Sequence, residues 1–261
     1  MLDAQGVARW RQDRARHRAR QSQRVGAFDV HHGLAATDSH DVLVTLAPPF
    51  REDPIAAVRR LKDHAESRGS QMRVEHVVET VPDLNSHLVR AGFGLTAMED
   101  VLVCHPAQGL ARSTVALDVE EVDARSDLEA VRVTLEANER GFDDDAPSPT
   151  ATDAEAFRAG MGEACAFTAR SGGVVVASGM YTQPFASAAE FTGISTLSAY
   201  RRQGFGGALV SHMVLSARRR GVTTAILTVS DTGASRVYER AGFAFCATLA
   251  CHEWRALTSE R

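Results

Sequence analysis

The chain has 261 residues, 44% hydrophobic and 24% charged, with a formal net charge of −4 and a pI near 6.2. That is enough apolar material for one large or two small cores; no apolar run is long enough for a membrane span, and the acidic balance argues against general nucleic-acid binding. The opening residues lack the apolar core of a signal peptide, so a cytoplasmic location is expected. The thiols Cys104, Cys165, Cys246 and Cys251, which form no CxxC pair, are then expected to be reduced.

Residues 1–25 read as an arginine-rich helix carrying Arg9, Arg11, Arg14, Arg16, Arg18, Arg20 and Arg24. Two readings compete: a solvated helical face anchored by Trp10, and a nucleic-acid-binding arm. The first is preferred, because no Lys-rich or aromatic stretch accompanies the arginines. Residues 26–106 form a second region. Its histidines His31, His32 and His40 show no metal-ligand spacing and are expected at the surface. A loop over 47–54 holds three prolines and no glycine. A strand over 72–78, a helical stretch ending at Gly92-Phe93 and a strand over 96–104 follow.

A Pro/Gly turn at 105–109 is the expected boundary, with a third region over 112–261. Its pattern predicts a strand at 114–122 and a helix at 127–140 capped by Ser126 or Asp127. The loop after it contains Asp143, Asp144 and Asp145, and with Glu136 and Glu139 nearby it is either solvated charge or an attractor for a cationic amine. Then come a short helix at 154–162 and a hairpin, 165–170 and 174–181, turned at Ser171-Gly172-Gly173. A strand at 190–197, a glycine-rich loop, a helix at 206–220, a strand at 222–229, a further helical segment and a strand at 247–254 complete the region. The order β-α-α-β-β-β-α-β-α-β describes an α/β chain with a mixed sheet and helices on both faces.

The second and third regions echo each other. Asn85-Ser86-His87-Leu88-Val89-Arg90-Ala91-Gly92-Phe93 parallels Ser235-Arg236-Val237-Tyr238-Glu239-Arg240-Ala241-Gly242-Phe243, and Ala65 to Gly69 parallels Ala217 to Gly221. Both echoes lead into strands in the same order, which suggests two related units. The chemistry differs. Arg201-Arg202-Gln203-Gly204-Phe205-Gly206-Gly207-Ala208 joins a strand to a helix, where backbone N–H groups converge on the positive end of the helix dipole and make an anion site. The corresponding 47–54 loop cannot wrap a phosphate in that way, and Leu88 stands opposite Tyr238.

On these motifs the third region resembles the GCN5-related N-acetyltransferase (GNAT) superfamily over residues 114–254. The signature Gln/Arg-x-x-Gly-x-Gly/Ala is Arg201-Arg202-Gln203-Gly204-Phe205-Gly206. A second family region is Asp231-Thr232-Gly233-Ala234, with Asp231 where Asn is common, followed by Tyr238-Glu239-Arg240-Ala241-Gly242-Phe243. The resemblance implies a mixed, mostly antiparallel sheet flanked by helices, in two tandem units of which the first is degenerate. It implies acetyl-CoA as co-substrate and no metal. The backbone of Gln203, Gly204, Phe205, Gly206 and Gly207, with Arg201, Arg202 and Ala208, would meet the pyrophosphate. Ile194, Ser195 and Thr196 would run beside the pantetheine, where the strand splays and Gly193 marks a bulge, and Asp231, Ala234 and Ser235 would complete the cofactor set. Glu190, eleven residues before Arg201, is the candidate base, or else a strand-end carboxylate. Tyr238 is the candidate acid for the departing thiolate, or else a packing residue. The implied acceptor is a primary amine of a small molecule, handled by a monomer or homodimer without nucleic acid. A non-catalytic acyl-CoA sensor and an aminoacyl-tRNA-dependent transferase are the rival readings, the second supported only by the arginine-rich segment.

Overall fold

The computed structural model describes residues 2–34, 42–47, 50–69, 71–105 and 115–254. It divides into two compact units, Met1–Val101 with Cys246–Arg261, and Leu102–Phe245. The first division falls just before the expected turn, most of which lies outside the described residues. The second is new: the C-terminal strand, which the sequence groups with 112–261, belongs from Cys246 onward to the first unit.

The first unit comprises α1 (Ala4–Arg18), β1 (Gln21–Val25), β2 (Phe28–His32), β3 (Val42–Leu46), α2 (Pro54–Arg68), β4 (Met72–Val77), α3 (Leu84–Ala91) and most of β5 (Gly94–Cys104). β1, β2 and β3 pair antiparallel, and β3 runs parallel to β4. Phe28, Val30, Val44, Val58, Leu61, Met72 and Val74 fill its core. The alternation of β4, with Met72, Val74 and His76 buried, follows the two-residue period of a strand. Trp10 anchors α1 as expected, at 6% exposure. The histidine expectation needs correction. His31 is fully buried, because β2 lies between β1 and β3, and its ring is held by Ser22 Oγ at 2.8 Å and Thr45 Oγ1 at 2.9 Å. Burial holds its pKa down at about 4. His40 lies outside the described residues.

The second unit comprises β6 (Asp118–Val122), α4 (Leu128–Phe142), α5 (Ala151–Gly160), β7 (Cys165–Ser171), β8 (Val174–Tyr181), β9 (Ala188–Thr196), α6 (Phe205–Arg219), β10 (Thr224–Val229), α7 (Thr232–Arg240) and the start of β11 (Ala244–Trp254). Its strands run in the order β10-β9-β8-β7-β6, antiparallel except for β9–β10. α6 buries Leu209, Val210, Met213, Val214 and Ala217 against Phe167, Val176, Tyr181 and Phe191 of the sheet. This is a mixed α/β fold with a mostly antiparallel sheet flanked by helices. No helix among the described residues is long and apolar enough to cross a membrane.

Within each unit the run β-β-β-α-β-α repeats with the same strand senses. The echoed Gly-Phe pairs close their helices identically. Gly92 and Gly242 are left-handed, at φ 100° and 91°, and the N–H groups of Phe93 and Phe243 return to the carbonyls of Leu88 and Tyr238 at 3.0 Å.

Candidate active site

The parallel pair β9–β10 is joined only through Ala188, Ala189 and Glu190, opposite Thr224, Ala225 and Ile226. Beyond Glu190 the two strands no longer pair, although β9 continues to Thr196 and β10 to Val229. The strands therefore splay, and Glu190 stands at the vertex. Its own backbone is fixed by Thr182, whose N–H donates to the Glu190 carbonyl at 2.9 Å while Thr182 Oγ1 accepts from Glu190 N–H at 3.3 Å. On its other side β9 slips register against β8 between Ser178–Ser195 and Met180–Thr192, an extra residue in β9. Gly193 lies in that bulge at φ 60°, a conformation that side chains disfavour.

At the far end of β9 the chain turns through Arg202 (φ 63°) and Gly204 (φ 87°) into α6. The first helical hydrogen bond runs from Ala208 N–H to the Gly204 carbonyl, so the N–H groups of Phe205, Gly206 and Gly207 have no helical acceptor. No side chain caps this end. Bare Cα atoms keep it open: a Cβ on Gly206 would lie 3.2 Å from Thr196 Oγ1, and one on Gly207 would lie 3.6 Å from Val237 Cγ1 of α7. An open, uncapped N-terminus of a fifteen-residue helix is an anion site. The first unit closes the same position. There Asp53 caps α2 with its own carboxylate, accepting from Ala56 N–H at 2.9 Å, and Pro54 removes a donor.

Several residues expected around the cofactor have other partners. The Arg201 guanidinium donates to the Thr196 carbonyl at 3.0 Å and to the Gly141 carbonyl of α4 at 2.9 Å, so it is a strut between α4 and β9. Gln203 donates to the Ala199 carbonyl at 3.2 Å and braces the turn. Ser195 points into α4, its hydroxyl near the carbonyls of Ala137 and Asn138 at 3.5 and 3.3 Å. Asp231 caps α7, accepting from Gly233 N–H at 2.7 Å, and Ser235 Oγ donates to the Asp231 carbonyl at 3.3 Å. Ile194, Ala234 and Tyr238 pack on the same core as Phe205 and Ala241. Tyr238 leans edge-on against Phe243 at 6.2 Å. Burial, helped by the Asp231 carboxylate, raises the Tyr238 pKa, so its phenol is protonated at neutral pH.

The sequence reading passes over Asn138 and Gly141. Asn138 Nδ2 donates to the carbonyl of the bulged Gly193. Gly141 is buried where α4 meets Ser195, and a Cβ there would fall far inside contact with the serine side chain. Of the acidic group, Glu136 is tied to Arg132 and Arg140, both at 3.1 Å, whereas Asp143, Asp144 and Asp145 are exposed.

The splay, the bulge and the open helix end all lie in one stretch of the second unit, from Ala188 to Val229. Residues 130–243 match the family model described as Acetyltransferase (GNAT) family, and they form a GNAT acetyltransferase domain. The chain is similar to a GCN5-related N-acetyltransferase from Kribbella flavida, at 24% identity over 96% of this chain and 95% of that one, with a TM-score of 0.71. It also resembles a GCN5-related N-acetyltransferase from Sphaerobacter thermophilus, at 16% identity over 87% and 76% with a TM-score of 0.59. A tandem GNAT protein from the clavulanic acid biosynthesis pathway aligns at 13% identity over 90% and 80%, with a TM-score of 0.60. At these identities the solved structures show a shared fold. No curated protein matches the chain.

Proposed function

We propose that the second unit transfers an acetyl group from acetyl-CoA to a primary amine of a small molecule in the cytoplasm, and that the first unit is a degenerate copy of the same fold. The observation that carries this reading is the uncapped end of α6 at the mouth of the β9–β10 splay. Gln203 through Gly207 then hold the pyrophosphate through backbone N–H groups, with Arg202 adding charge from the rim and Ala208 closing the first helical turn behind them. The unpaired edge of β9 at Ile194 to Thr196 offers backbone groups to the pantetheine amides. Asp231, Ala234 and Ser235 contribute by fixing the start of α7 beside that channel. In the first unit the Asp53 carboxylate occupies the place an anion would take, which supports a single working cradle.

The acceptor amine is mostly protonated at neutral pH, and Glu190 at the vertex takes its proton directly or through a water. The nitrogen then bonds to the carbonyl carbon while the C–S bond breaks, Tyr238 donates its phenolic proton to the leaving sulfur, and the second proton of the nitrogen is lost to solvent, which reprotonates Tyr238. The raised Tyr238 pKa supports this role, because an acid must enter the step protonated. The backbone N–H of Ile194, beside the bulge, is the candidate donor to the thioester oxygen. The exposed carboxylates of Asp143, Asp144 and Asp145 draw a cationic acceptor toward the cleft.

A CoA-release assay against a panel of small amines tests this. Turnover with at least one amine is expected, and Glu190→Gln and Tyr238→Phe should each lower kcat by about 10²- to 10⁴-fold while leaving acetyl-CoA affinity unchanged. Wild-type turnover in both variants would refute the assigned roles. Acetyl-CoA binding with no amine consumed would favour a non-catalytic acyl-CoA sensor.

A further inference from the structure

The arginines of residues 9–24 are not an undifferentiated solvated face. Arg11 turns inward to Glu75 at 2.7 Å, and Arg14 lies over the Trp10 ring at 5.2 Å. Arg16 and Arg24 converge on a single carboxylate, that of Asp29, at 2.7 Å each, and Gln12 donates to the same group. Asp29 is buried at 3% exposure, so both guanidinium groups are anchored from beneath.

Arg16, Arg20, Arg24 and Asp29 line an open cleft of about 530 Å³ between the end of α1 and β1, whose walls also include Ser22 and Gln23. Arg20 is held at its base. Its N–H donates to the His32 carbonyl at 3.0 Å, and its stem lies across Gly33, where a Cβ would meet it at 3.1 Å. Its head meets no carboxylate among the described residues. Among the described residues Asp29 is the one carboxylate lining the cleft, and it is already shared by two arginines. A guanidinium has five N–H donors, so Arg16 and Arg24 retain donors after binding Asp29. The cleft thus presents three cations against one anion, with two of the cations fixed in position.

We propose that this cleft binds a compact phosphate-bearing small molecule, at a site separate from the α6 cradle and independent of the acetyltransferase reading. Forked guanidinium groups match phosphate oxygens two at a time, and a net local charge of two matches a phosphate dianion. The volume suits a small organic phosphate. An extended nucleic-acid backbone is disfavoured, because such binding needs a basic stripe on a basic domain and this chain is acidic.

The test is calorimetric titration of the full chain with inorganic pyrophosphate, run on the wild type, Arg20→Ala and Gly204→Val, with a 12-nucleotide single-stranded RNA as a second probe. Two binding events are expected in the wild type. Gly204→Val should remove the event at α6 and leave the other, whereas Arg20→Ala should weaken the other by about tenfold or more and leave amine acetylation unchanged. Arg20 is exposed, and its substitution disturbs no core packing. An unchanged titration in Arg20→Ala would overturn the proposal. So would the absence of any event surviving Gly204→Val, or RNA binding tenfold tighter than pyrophosphate, which would point to a polyanion surface instead.

Discussion

Replacing Gly141 with alanine sets two effects against each other. Gly141 is buried in the last turn of α4, and intrinsic helix propensity alone makes Gly→Ala favourable by about 0.8–1 kcal/mol. Against that, the new methyl group would occupy the space of the Ser195 side chain, and both its Cβ and Oγ lie inside contact. Neither residue can yield without moving α4 from β9, because Asn138 and Arg201 tie the two elements together on either side of the contact. Overpacking of this kind costs about 1–3 kcal/mol. The net expectation is a loss of up to about 2 kcal/mol, which for a unit of this size lowers Tm by up to roughly 8 °C. Thermal unfolding followed by circular dichroism reads the shift. The second variant Ser195→Gly, combined with Gly141→Ala, should recover most of the loss, because it removes both clashing atoms. An alanine variant as stable as the wild type or more so would show that α4 and β9 are not in close contact here, and the argument from Gly141 would fall.

Gly204→Val and Arg201→Ala should separate two roles within one sequence motif. The valine places a branched side chain on a left-handed residue at the cradle and should abolish measurable acetyl-CoA binding by calorimetry. The Arg201 variant should leave that affinity within about threefold yet increase hydrogen exchange at the C-terminal turn of α4; equal loss of acetyl-CoA binding in both would show that Arg201 meets the phosphate instead. The buried pair His76 and His252, stacked at 5.6 Å with no hydrogen-bond partner for any ring nitrogen among the described residues, should make the first unit acid-sensitive. Burial lowers their pKa values from 6.5 to about 3 and about 4. The unfolded chain therefore takes up protons first, and stability should fall as pH drops from 6.5 toward 3. His76→Phe with His252→Phe should flatten urea midpoints over that range, and an unchanged slope would refute the assignment.

The local part of this fold is legible in the sequence. The hairpin at Ser171-Gly172-Gly173, the helix after Gly204 and the bulge at Gly193 each follow from turn chemistry or periodicity within a few residues. The echo of Leu88-x-x-x-Gly-Phe in Tyr238-x-x-x-Gly-Phe is a backbone fact as well, since both sequences make the same helix stop. The side-chain partners were harder to read, because they depend on neighbours far along the chain. Arg201 is sixty residues from its acceptor in α4, so a motif reading assigns it to phosphate when its hydrogen bonds are to carbonyls. Asp231 reads as a ligand residue, but its carboxylate is engaged as a helix cap. His31 reads as a surface residue, and only the sheet order shows that it is enclosed.

The pairing of β11 with β4 constrains how the chain can be made. Leu249 to Trp254 register against Val77 to Met72, a separation of more than half the sequence. During synthesis the first unit waits with β4 exposed on one side while the whole of the second unit emerges, and it completes its sheet only when the final strand leaves the ribosome. Pairing over so long a loop is slow, and the waiting edge is open to wrong partners. A fragment ending at residue 101 would lack the strand that finishes its own sheet. The first unit is thus discontinuous in the gene, with the second encoded between its two segments.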